Sequence, residues 1–271
     1  MSQAKTVVLF SVDGMRPDGM QQATTPFMDR LIANGAHTLK AQTVMPSVTL
    51  PCHTSMFRGV IPERHGITDN VWVPMARPVP SIIDLVALSN RAAGSFYCWE
   101  PLRDLSMASA LDYSYYINYS SNDGIDIDHD VAQAAAHYLG RKQPAFMFVY
   151  LGVTDEIGHR HGWMSPEYLR AIEVADQAIG VVLNALEQHG YLDTTACIVQ
   201  SDHGGHGQTH GTTMLEDMTI PWIVAGPSIR RGHRIGGPVS LLDTAPTLAR
   251  ILNLPHHRDW EGVCVTEAFV D

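Results

Sequence analysis

The stretch Thr195–Gly211, TACIVQSDHGGHGQTHG, joins a short apolar run to a glycine-rich loop that carries one aspartate and three histidines. Six residues rich in Thr, Ile and Val read as a strand. Their lack of polar alternation is what a strand buried on both faces requires. The loop opens with Asp202-His203 at the carboxyl end of that strand, where open α/β sheets gather their functional groups. Working outward, the same unit recurs twice. Thr6–Val12 runs into Asp13, and Ala145–Leu151 comes shortly before Asp155, with His159 four residues later in TDEIGH. Gly94–Trp99 and Ile220–Ala225 are further strand candidates. Helices with readable ends lie between them: Thr25-Pro26 to a stop at Gly35, Asp130 to Gly140, and a long one from Ser165-Pro166-Glu167 with Gly190 beyond its end. Alternating strands and helices predict an α/β domain on a central, largely parallel sheet. Asp112–Asp130 stands apart as tyrosine-rich, acidic and aperiodic; it reads as a surface loop or short hairpin, or else as a substrate-binding rim.

The chain has 271 residues, 45% of them hydrophobic and 17% charged, which suits a compact core and excludes a disordered chain. At this length folding buries roughly 75% of the unfolded surface, and residues 1–271 read as a single domain. A net charge of −10 repels polyanions, so long nucleic acid is not an expected partner. No run approaches the ~20 apolar residues of a membrane span, and the four cysteines form no CxxC pair. These features predict free thiols and a cytoplasmic location. The 14 histidines are the compositional oddity and point to metal or proton chemistry.

Three aspartates at three strand ends need mutual neutralisation if they converge. Histidines mixed with them favour zinc, manganese or iron, since magnesium and calcium prefer oxygen-only shells. A nucleophile is expected within Met45–Asn70, MPSVTLPCHTSMFRGVIPERHGITDN, where Ser47, Thr49, Thr54 and Ser55 all offer hydroxyls. Such a hydroxyl needs a base or a metal to attack near neutral pH. Pro51 suits Thr49 at a turn or in the first turn of a helix.

The segments SVDGMRPD, TPFMDRL, SVTLPCHTS, ERHGITDN, TDEIGH and SDHGGHG resemble the alkaline phosphatase superfamily, and within it the type I phosphodiesterase/nucleotide pyrophosphatase family. The resemblance runs from Asp13 to His210. It implies an alkaline-phosphatase-like fold, with helices on both faces of the sheet, and two divalent metal ions, zinc first, with manganese or iron as alternatives. One ion would be held by Asp155, His159 and His210, the other by Asp13, Asp202 and His203 with Thr49 bound to it. It further implies that Thr49 is the nucleophile, passing through a covalent phosphothreonine. Asn70, with the Leu50 amide, would hold a phosphoryl oxygen. The substrate would be a small phosphate ester, most naturally a phosphodiester or nucleotide pyrophosphate.

The chain departs from the family in two places. His203 and His210 lie only seven residues apart, so His210 is chosen on its Thr-His-Gly context, with His206 as the alternative. There is also no room for a large cap domain, which leaves substrate selection to the tyrosine-rich segment or to Trp72, Trp99 and Glu100. The sulfatase pattern Cys/Ser-x-Pro-x-Arg is not met, because Thr49, Pro51 and His53 stand there. Competing readings are phosphomonoesterase, phosphonate hydrolase or phosphomutase chemistry, which would recruit Arg16, Arg58 or Arg64 to the extra charge, and an inactive metal-binding scaffold.

Overall fold

The computed structural model describes residues 3–107, 109–118 and 126–270. Eight strands form one sheet: β1 (Thr6–Val12), β2 (Gly35–Gln42), β3 (Ala93–Tyr97), β4 (Tyr113–Tyr116), β5 (Phe146–Leu151), β6 (Thr195–Gln200), β7 (Thr219–Ala225) and β8 (His233–Arg234). Their order across the sheet is β4-β3-β5-β1-β6-β7-β2-β8. Central β1 pairs in parallel with β5 on one side and β6 on the other, with Val7 opposite both Phe146 and Ala196. The sheet is mixed because β7 runs antiparallel to both its neighbours, β6 and β2.

Every residue of β1, β5 and β6 is buried, so both faces are covered. The helices are α1 (Pro17–Gln22), α2 (Pro26–Asn34), α3 (Thr49–Arg58), α4 (Pro62–His65), α5 (Ile82–Leu88), α6 (Ile127–Leu139), α7 (Val153–His161), α8 (Pro166–Gln188), α9 (Leu215–Met218) and α10 (Thr244–Ile251). One group packs around α8, namely α1, α2, α6 and α7; α3, α5 and α10 pack on one another as a second. The long helix begins as the sequence predicts, with Ser165 Oγ accepting from the Tyr168 amide at 3.1 Å.

Three expectations need correction. Thr25 makes no side-chain bond to the N-terminus of α2; that end is capped across the interface by Asp176 of α8, whose carboxylate accepts from the Phe27 and Met28 amides at 3.1 and 2.8 Å. Asp130 lies inside α6, which starts three residues earlier at Ile127. Within Asp112–Asp130, Tyr113–Tyr116 is an edge strand parallel to β3 rather than half of a hairpin, and the segment's end enters α6. Residues 119–125, the heart of the proposed substrate rim, lie outside the described residues.

Candidate active site

The carboxyl ends of β5, β1 and β6 lie side by side, and each delivers an aspartate. The Asp13 amide still donates to Leu151 O at 2.9 Å, extending the β1–β5 ladder by one bond. Asp155 stands in the first turn of α7, with His159 one turn further along the same helix face. Asp202 follows β6 after one residue, and its Oδ1 accepts from the Gly14 amide at 3.2 Å. One oxygen of each carboxylate has a fixed duty or a histidine neighbour. The other three, Asp13 Oδ1, Asp155 Oδ1 and Asp202 Oδ2, are buried with no hydrogen-bond donor. Burial, together with repulsion from Asp155, pushes the Asp202 carboxyl up to about 8, and burial likewise raises Asp13 and Asp155 well above the usual carboxylate range.

The histidines explain what these oxygens face. His203, His159 and His210 each set Nδ1 against a backbone carbonyl: Gly204 O at 2.8 Å, Gln208 O at 3.0 Å and Ser47 O at 2.8 Å. A ring that donates Nδ1–H outward turns its Nε2 lone pair inward, the tautomer a metal ligand needs. The His203 Nε2 lies 3.2 Å from Asp13 Oδ1 and 3.4 Å from Asp202 Oδ2. The Nε2 atoms of His159 and His210 face each other at 3.1 Å, and they lie 3.5 and 3.7 Å from the two oxygens of Asp155. Lone pairs and orphaned carboxylate oxygens at such distances repel unless a proton or a metal cation lies among them. The donor set therefore fits divalent zinc, manganese or iron. Asp13, Asp202 and His203 bring ligand atoms within 4.8 Å of one another, and so do Asp155, His203 and His210. The two sets expected from sequence thus meet at His203, with His159 joined to the second through His210.

The alternative ligand His206 is placed elsewhere. Its Nδ1 donates to the buried carboxylate of Asp217 at 2.7 Å. The paired glycines ahead of it allow close approach: a Cβ at Gly204 would lie 1.9 Å from Glu216 O, and one at Gly205 2.2 Å from the Trp163 ring. Burial raises Asp217, but hydrogen bonds from His206 and Thr212 outweigh it and hold the carboxyl below its ordinary value.

Thr49 is the first residue of α3, buried, with Oγ1 3.4 Å from His203 Nε2. The other candidate hydroxyls are committed: Ser47 Oγ to Thr212 O, Thr54 Oγ1 to Leu50 O and Ser55 Oγ to His65. The Leu50 amide, expected to hold a phosphoryl oxygen, instead donates to Asn70 Oδ1 at 2.9 Å. That bond fixes the carbonyl end of the Asn70 amide and leaves its NH2 as the donor end. Cys52 is a packed thiol against Thr43, pushed far up by burial.

Sequence reasoning missed the support around these groups. His53 hydrogen-bonds Ser11 Oγ through Nε2 and Thr49 O through Nδ1, and burial depresses it to about 3, so it stays neutral. The Tyr150 hydroxyl donates to Asp13 Oδ2, and Trp163 packs edge-on against His159 while its Nε1 donates to Gly14 O. None carries a motif; a tyrosine at the end of an apolar strand reads as core.

A mixed sheet with helices on both faces and a carboxylate–imidazole cluster at its strand ends defines an α/β protein of alkaline-phosphatase-like fold. The chain belongs to the type I phosphodiesterase / nucleotide pyrophosphatase family, whose sequence profile matches residues 7–219. It is 27% identical over 219 residues to ectonucleotide pyrophosphatase/phosphodiesterase family member 3 of Rattus norvegicus, covering 73% of this chain and 24% of that protein. It is 25% identical over 226 residues to venom phosphodiesterase 2 of Crotalus adamanteus, covering 73% and 26%. The chain thus spans about a quarter of the length of these relatives. In fold it is similar to murine ectonucleotide pyrophosphatase/phosphodiesterase 5 in complex with AMP (TM-score 0.81, 17% identity, 98% of this chain and 100% of that one). A 2-O GAG sulfatase also shares the fold (TM-score 0.78, 16% identity, 97% and 73%).

Proposed function

We propose that this chain hydrolyses phosphodiester or nucleotide pyrophosphate bonds through a covalent phosphothreonine on Thr49, with two divalent cations, zinc first, held by Asp13, Asp202 and His203 and by Asp155, His159 and His210. The observation that carries the reading is the Thr49 hydroxyl, 3.4 Å from an inward-facing imidazole nitrogen beside three orphaned carboxylate oxygens. Bound cations supply positive charge that lowers the hydroxyl pKa and offsets charge on the phosphoryl oxygens. Thr49 Oγ1 gives up its proton and bonds to phosphorus as the bond to the leaving oxygen breaks; that oxygen takes up a proton. Water then attacks phosphorus, and cleavage of the Oγ1–P bond returns the hydroxyl. The Asn70 NH2 and the N-terminus of α3 face the developing negative charge.

Diesters are favoured over monoesters because two of the three arginines that sequence offered to the extra charge, Arg58 and Arg16, have other partners. Arg58 is buried and donates to Val79 O and Leu105 O beside Asp84. Arg16 is held by Asp18 and Gly205 O. The same reading takes residues 1–271 as one catalytic domain in which the step from His203 to His210 leaves no place for a cap insertion. It also keeps the protein in the cytoplasm, on the support of four free thiols; recovery in a sealed-cell periplasmic or culture-fluid fraction would overturn that location. Among the described residues no helix is long and apolar enough to cross a membrane.

The test is kcat/KM for bis-p-nitrophenyl phosphate against p-nitrophenyl phosphate with zinc- or manganese-loaded protein, and Thr49→Ala as control. The expected result is a strong diester preference that disappears in the variant. A monoester preference would replace the reading with a phosphatase or mutase.

A further inference from the structure

We infer that Asp217 is the positioning residue for His210, its buried carboxylate clipping both flanks of the loop that carries this histidine. The inference rests on the metal-binding reading above. His210 lies in a loop whose regular pairing is one bridge between His206 and Thr209. Loop side chains keep a fixed direction only if something outside the loop holds them.

Asp217 comes from α9 and is fully buried. Its Oδ1 accepts from His206 Nδ1 at 2.7 Å, four residues before His210. Its Oδ2 accepts from the Thr212 amide at 2.9 Å and from Thr212 Oγ1 at 2.7 Å, two residues after His210. From Thr212 the hold passes directly to the ring. Thr212 O accepts from Ser47 Oγ at 3.0 Å, and Ser47 O faces His210 Nδ1 at 2.8 Å. One carboxylate thus ties the entry and exit of a short loop and completes a circuit that ends on the ligand ring. The Gly204 amide, bonded to Asp217 O at 2.8 Å, closes the loop at its base. In this light His206 is a strut rather than a ligand, which gives the third histidine of the glycine-rich stretch a reason to be there.

The experiment is a cobalt(II) titration of metal-free protein, followed by the visible absorption of bound cobalt and by competition with a chromophoric chelator. Wild type, Asp217→Asn, His206→Gln and Thr212→Val are compared. Wild type should bind two equivalents. In Asp217→Asn one equivalent should bind roughly 10–100-fold more weakly with an altered spectrum, the usual scale for losing an outer-shell partner, and the other should be unchanged. His206→Gln and Thr212→Val, each removing one arm of the clip, should weaken the same equivalent by less. Failure of wild type to bind cobalt would overturn the metal reading itself. Two normal equivalents in wild type with no change in Asp217→Asn, or with both equivalents weakened alike, would overturn the role given to Asp217. If Asp217→Asn does not fold, normal cobalt binding in both single-arm variants would overturn it equally.

Discussion

The two halves of the site are built from the same residue types but in different surroundings. Asp13, Asp202 and His203 have side chains at most 1% exposed. They sit directly on the ends of adjacent strands, backed by Tyr150 and the Gly14 amide. In the other half the His159 side chain is 42% exposed, Asp155 18% and His210 9%. That half hangs on α7 and on the loop clipped by Asp217. Sheet ends hold side chains more rigidly than loops, and burial removes competing water. The inner half should therefore bind its cation tightly and exchange it slowly, and the outer half should govern turnover at limiting metal.

The sharpest way to break this comparison is at the group that leans on the inner half alone. Thr49→Ala should reduce diester turnover by at least about a thousandfold, as expected for loss of a nucleophile, while both metal equivalents remain by elemental analysis. Full turnover would reject Thr49. Next in size, Asp202→Asn should bind one equivalent instead of two, whereas His159→Gln should keep both at saturating zinc and lose one on dilution. Two equivalents in Asp202→Asn would erase the proposed asymmetry.

The third test separates the halves by pH. In metal-free protein the Asp202 carboxyl is raised to about 8 from an ordinary 3.8. The native state then holds a proton that the unfolded chain releases, so this contribution is complete below about pH 4 and is lost as pH rises towards 8. Calorimetry in chelator should show the melting temperature falling across that range, with bound zinc abolishing the fall. A metal-free melting temperature that rises with pH would contradict the inner cluster. The smallest effect concerns α7. Asp128 of α6 accepts from the Gly152 and Val153 amides at 2.9 and 3.4 Å, and burial lifts it to about 7. Its stabilising proton is lost as pH rises from about 4 to 7. Asp128→Asn keeps an acceptor for those amides and removes the titration, so its zinc-loaded melting temperature should vary less with pH, by about 5–8 °C at most over that window.

The cluster of Asp13, Asp202 and His203 was legible because these residues stand at strand ends, where short apolar runs followed by Asp or Asp-His are visible without coordinates. The five expected strands appear within two residues of their anticipated ends. Three strands at or near the sheet edges left no sequence signal, for a physical reason. β4, YSYY, and β8, HR, are the two edges, and β2, GAHTLKAQ, lies next to β8; each is only partly buried, so no apolar run or clean helical period marks them. His206 and His210 could not be told apart by spacing, since both lie on a glycine-rich loop; their partners differ only in three dimensions, His206 bonding Asp217 eleven residues beyond and His210 facing His159 and Asp155. His53 and Tyr150 were invisible for the same reason. A hydrogen bond across the sheet leaves no local pattern.

The position of β1 at the centre of the sheet has a consequence for biosynthesis. Its two hydrogen-bonded neighbours lie some 140 and 190 residues downstream, as Val7 pairs with both Phe146 and Ala196. Contacts so distant in sequence make folding slow. β1 therefore waits for β5 before it gains its first partner, and its second edge stays open until β6 has left the ribosome. Completion of the proposed metal sites comes later still, because their last donor, His210, emerges ten residues after β6 ends at Gln200.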